Sequence, residues 1–139
     1  MLTGLTHAHE GLAYLFVLST FTSMGLALLT LALGAKPALL KVGLILARFV
    51  ETSLGGLMML LGIGMWSVMK LPVSTPYLWI GIFVIVASGG LVTRGIKPTL
   101  QQLESQDDGA LRVRWVLMAI VHFALIAFAM GSMEMNLGA

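Results

Sequence analysis

Long apolar runs alternate with short polar breaks along the chain. Residues 11–33, GLAYLFVLSTFTSMGLALLTLAL, carry no charge after Glu10. GAKPALLK then makes a short turn, and Pro37 suits a first helical position. The next run, KVGLILARFVETSLGGLMMLLGIGMWSVMK, closes near Met69 and is followed by the break LPVSTP. YLWIGIFVIVASGGLVT covers Tyr77 to Thr93, and VRWVLMAIVHFALIAFAMGSM covers Val113 to Met133. Between these two lies the only markedly polar stretch, RGIKPTLQQLESQDDGALR, part of which reads as a short surface helix. The runs clear or approach the roughly 20 residues that cross about 30 Å of hydrocarbon. Period-2 alternation is absent, so a barrel is not expected. The pattern therefore predicts a single all-α polytopic domain over 1–139, with four transmembrane helices at about 10–33, 42–69, 77–94 and 113–135. The second is longer than a membrane needs and is expected to tilt or to begin in the interface.

Composition agrees with that reading. Hydrophobic residues make up 58% of the 139 and charged residues only 10%, against about 25% charged in soluble domains. The formal charge of +2 does not point to nucleic acid. The chain has no cysteine, which removes disulfides, thiol catalysis and thiolate metal sites. MLTGLTHAHEG lacks the basic start of a secretory signal, so the first run is read as a retained spanning helix.

Charge placement gives an orientation. Lys36, Lys41 and Arg48 flank the first connection, and Arg94, Lys97, Arg112 and Arg114 flank the third. The opposite side has only Lys70. The basic-residue asymmetry places both loops in the cytoplasm and both termini on the outer, periplasmic side. Tyr77, Trp79 and Trp66 then fall near the outer boundary and Trp115 near the inner one, as in an aromatic belt. Arg94, Lys97, Arg112 and Arg114 are candidates for anionic lipid headgroups. Asp107 and Asp108 read as a solvated acidic pair.

Ionisable residues inside the spans need explanation. Arg48 can snorkel to the inner headgroups. Glu51 has a short stem and lies deeper. Three residues apart on an α-helix, the two share a face, so an intrahelical ion pair is one reading. A polar contact with another helix or subunit is the second, and a protonatable transport or redox role the third. His122 lies eight residues past Arg114 and Glu51 ten past Lys41. At 1.5 Å per residue these are about 12 and 15 Å along helices entering from one side, so the two reach similar depths. Glu51 and His122 could pair across the bundle. Alternatively, His122 bonds to a backbone carbonyl or a Ser/Thr hydroxyl, with Thr52, Ser53 and Ser88 as neutral partners, or ligates haem. Gly55 and Gly56 follow Glu51 and favour close helix contact. Near the outer end, His7, His9, Met65, Met69, Met130 and Met133 form a set of imidazoles and thioethers suited to copper, although methionine in apolar helices is first a packing residue.

LTHAHEGLAYLFVL, and more loosely LARFVETSLGGLMMLLGIGMW, resemble small bacterial four-helix membrane proteins of the cytochrome b type. The haem-ligand pattern is incomplete, since the third span has no histidine. The resemblance implies haem b and electron exchange with quinone, with His7 or His9 as an outer ligand and His122 as an internal one. No nucleophile–base pair or paired-acid motif stands out. The chain is thus expected to be a non-catalytic accessory or scaffold subunit of a larger bacterial inner-membrane complex, respiratory or photosynthetic, without a cofactor of its own. It would contact lipid and either larger membrane subunits or copies of itself. Alternatives are a haem- or quinone-binding electron-transfer protein and a small proton-coupled ion or metal transporter.

Overall fold

The computed structural model describes residues 2–137; the side chains of Leu2, Tyr77 and residues 133–137 lie outside the described set, and with them Met133 of the sulfur cluster and Tyr77 of the expected belt. The first helical rod is α1 (Leu2–Leu33). The second is built from α2 (Pro37–Ile45), a wide π turn (Leu46–Glu51) and α3 (Thr52–Met69). The third joins α4 (Pro76–Leu91), a second π turn (Val92–Ile96) and α5 (Lys97–Ser105), and the fourth is α6 (Gly109–Leu137). Each rod packs on the next and the fourth returns to the first, an up-down bundle. Among the described residues, four helices are long and apolar enough to cross a membrane, and the shortest span, Gly109–Ser132, has 24 residues. At 1.5 Å per residue that is about 36 Å, against about 30 Å of hydrocarbon. The protein is an all-α, four-helix polytopic membrane protein.

The helices extend beyond the apolar runs. α1 starts at Leu2, before the expected boundary near Glu10. The third rod runs on into the stretch expected to be mainly loop. It does so because Ile96, Leu100 and Leu103 recur at helical spacing and are buried, while Gln101, Gln102 and Glu104 face out.

Stops are local. Gly34 takes a positive φ of 85° after α1, and Lys70 at φ 51° ends α3 with its N–H on the Trp66 carbonyl. The connections at residues 34–36 and 106–108 meet at one end of the bundle. There the Ala35 N–H donates to Asp107 Oδ2 at 3.2 Å, and Arg112 Nε lies 3.1 Å from Asp107 Oδ1. Asp108 Oδ1 accepts from the Ala110 N–H at 2.9 Å and caps the start of α6. The acidic pair expected to be merely solvated thus ties two loops together and caps a helix.

Two apolar clusters fill the interior. Nearer the end carrying these two loops, Leu40, Ala47, Ile96, Leu100 and Ala119 pack around Trp115. Nearer the termini, Phe16, Met58, Val84 and Ile126 pack together. Trp115 is fully buried, not part of an interfacial belt. It fits because Gly43 has no side chain: a Cβ there would lie 3.0 Å from the indole Cζ2.

Candidate functional site

Between the two apolar clusters lies a polar layer to which all four rods contribute. Glu51 comes from the first π turn, Ser23 from α1, Ser88 from α4 and His122 from α6; all four are buried. The π turn decides where Glu51 points. A widened turn advances less around the axis per residue, so Arg48 and Glu51 lose the shared face that α-helical spacing gives. Glu51 turns inward at 2% exposure, whereas Arg48 is exposed with its guanidinium 5.5 Å from the Phe49 ring centroid. The intrahelical ion pair between them does not form among the described contacts. Thr52 supports the turn by donating its hydroxyl to the Ala47 carbonyl, five residues back, at 2.9 Å.

His122 is held on three sides. Its Nε2 lies 2.5 Å from Ser88 Oγ, and its Nδ1 lies 3.7 Å from Glu51 Oε2. Phe16 stands edge-on to the imidazole, with ring centroids 6.0 Å apart. If Ser88 donates to Nε2, the ring proton sits on Nδ1 and faces Glu51. The 3.7 Å separation is ion-pair range, longer than a formed hydrogen bond. Ser23 presents its hydroxyl to the Glu51 carboxyl without closing a hydrogen bond of standard geometry. Both carboxyl oxygens and His122 Nδ1 thus remain without hydrogen-bond partners, which is costly at this burial.

A groove of about 100 Å³ reaches this layer, with Glu51, Thr52, Gly55, Gly56, Ser88 and Gly89 among its walls. Gly56 and Gly89 are exposed, and a Cβ added at either meets nothing within 4 Å. Gly55 faces Phe16 at 3.9 Å. The groove therefore opens sideways, between α3 and α4, on the outside of the bundle.

The other sequence candidates fall elsewhere. His7 is exposed and lies 3.4 Å from Glu10. His9 faces Gly62, where a Cβ would lie 3.9 Å from its Nε2. Gly62 follows Glu51 by eleven residues, roughly 16 Å along the rod. His122 lies beside Glu51, so neither His7 nor His9 meets it as a second axial ligand. His9, Met65, Met69 and Met130 do line one larger cavity near the termini, and His7 is not among its walls. Arg94 and Arg114 are exposed and Lys97 is half-buried. Arg112 is turned to Asp107 and to the Leu31 carbonyl at 3.3 Å. Among the described residues, no group of three or more His, Cys, Asp or Glu is placed to hold a metal ion.

Sequence reasoning missed the contribution of α1. Ser19, Ser23 and Thr30 are buried hydroxyls without hydrogen-bond partners. Their spacing, with Ala27 between Ser23 and Thr30, puts them on one helix face. That periodicity was the available signal, masked because isolated Ser and Thr are common in apolar helices.

These features define the class: a four-helix membrane protein with an acid–imidazole–hydroxyl layer at its core. No family model, curated protein or solved structure matches the chain.

Proposed function

We propose that the protein is a non-catalytic accessory subunit of a larger membrane assembly, which it joins along the face between α3 and α4. One observation carries this reading: a buried carboxyl group with both oxygens unpartnered lines a sideways groove bordered by small residues. Small residues let a neighbouring helix approach closely. A hydrogen-bond donor on that helix would satisfy Glu51 without opening the bundle. Electron-transport complexes of a bacterial cytoplasmic membrane are the proposed setting. The termini face outward, and the loop with Lys36 together with the helical segments that carry Arg94 and Arg114 faces the cytoplasm and its anionic lipids.

The absence of cysteine gives a direct test. A single cysteine at Gly56 or Gly89 is the only thiol in the chain. In native membranes it is expected to cross-link to one discrete larger protein, whereas a cysteine at the exposed Leu18 on α1 is not. A monomer that extracts alone, with no cross-link from either glycine position, refutes the proposal.

The hydroxyl stripe on α1 favours a second reading. Ser19, Ser23 and Thr30 span about 16 Å of helix past the Glu51–His122 pair, an arrangement suited to proton-coupled transport. Proton flux in liposomes that is lost on Glu51→Gln supports it; no flux in the wild type excludes it.

A further inference from the structure

We propose that the cavity near the termini binds a monovalent soft metal ion, copper(I), through His9 and methionine thioethers. The cavity holds about 270 Å³ between α1, α3, α4 and α6. On α3, Met58, Gly62, Met65 and Met69 are spaced four, three and four residues apart and so fall along one face. All four line the cavity. Gly62 makes a notch in this row of sulfurs, and His9 Nε2 stands over it, 3.9 Å from where a Cβ would be. Met58 and Met65 lie about one helical turn to either side of Gly62 on this face. Met130 of α6 contributes to the same cavity.

This donor set selects the ion. Imidazole and neutral thioethers suit copper(I), whereas calcium, magnesium and manganese prefer oxygen. A divalent ion among these largely apolar walls would carry more uncompensated charge than a monovalent one. Glu10 also lines the cavity. No thiolate in the chain competes for the ion. Trp66 also lines the cavity, so its indole would report occupancy and add a cation–π contact.

The test uses purified protein in lipid nanodiscs. Silver(I) serves as a redox-silent probe, and copper(I) is competed against bicinchoninate under anaerobic reducing conditions. One equivalent is expected to bind and to quench tryptophan emission, with the quench lost in Trp66→Phe but the binding kept. His9→Ala and Met65→Ile should each weaken binding at least tenfold. His7→Ala and Met118→Ile, which alter residues outside the cavity, should leave it unchanged. X-ray absorption of the wild-type copper(I) form should show nitrogen and sulfur neighbours, a readout independent of variant folding. The proposal is overturned by absence of stoichiometric binding, by equal losses in Met118→Ile and Met65→Ile, or by an oxygen-only shell.

Discussion

The contact between Glu51 and His122 can be measured as a coupling energy. Replacing His122 by Leu removes the imidazole 3.7 Å from Glu51 Oε2 and strands Ser88 Oγ. Replacing Glu51 by Leu removes the other partner. Breaking a buried ion pair at one side costs about 3–5 kcal/mol, because a buried polar group loses its counterpart. Replacing both together with apolar groups removes the mismatch and should cost much less than the two single changes combined. Two full charges at 3.7 Å attract by about 4.5 kcal/mol at an effective dielectric of 20, while a neutral hydrogen-bonded pair contributes about 1 kcal/mol. The coupling is therefore expected between about 1 and 4 kcal/mol, and its size tells a charged pair from a neutral one. The four proteins would be unfolded reversibly in mixed micelles with increasing SDS and followed by tryptophan emission. Additive effects, with a coupling under about 0.5 kcal/mol, would show that the contact carries no energy.

Gly43→Ala is expected to destabilise the protein by about 1–3 kcal/mol, because its methyl would press on the rigid Trp115 ring, and Trp115→Phe in that background should recover part of the loss in the same SDS titration. Ser88→Ala should cost about 1 kcal/mol by removing the hydroxyl on His122 Nε2; no change in unfolding midpoint would argue against that bond. Asp107→Ala frees the Ala35 N–H and Arg112 together, so limited proteolysis at the two adjoining loops should accelerate while the unfolding midpoint falls by the equivalent of about 1 kcal/mol. Gly56→Leu should fill the groove mouth without disturbing the fold, since no atom lies within 4 Å of the added Cβ; recovery of larger subunits with the tagged protein is expected to fall while thermal melting stays unchanged.

The four spans were legible because apolar run length is a direct physical requirement of the bilayer. Their ends were not, because a helix continues into polar sequence wherever one face finds a packing surface. Ile96, Leu100 and Leu103 find theirs in the cluster around Trp115. Trp115 itself looked interfacial from its charged neighbours. Its burial depends on the Gly43 notch, which is remote in sequence. The comparable depth of Glu51 and His122 followed from counting helical rise from Lys41 and Arg114. The face of Glu51 did not follow, because three-residue spacing assumes a regular α-helix and Leu46–Glu51 is a π turn. No residue type announces such a turn reliably. The lining of the copper candidate divided similarly: Met65 and Met69 share a face by spacing alone, but placing His9 over Gly62 requires the packing of α1 on α3.

The polar layer also bears on how the bundle is held. Lipid tails are as apolar as the helix surfaces, so apolar burial drives helix association only weakly within a membrane. Close packing and interhelical polar contacts must supply much of the specificity. The Ser88–His122–Glu51 chain links the third, fourth and second rods at one level and fixes their mutual depth. A layer serving that purpose alone would be closed, with every buried donor and acceptor matched. Here His122 Nε2 is matched, while Nδ1 and both Glu51 oxygens are not. Ser19, Ser23 and Thr30 of α1 are unmatched as well, so the open positions are spread through the interior. His122 Nδ1 and Glu51 Oε2 face each other at 3.7 Å inside the bundle, and of these two residues only Glu51 also lines the groove, so the carboxyl group is where the interior layer and the groove meet.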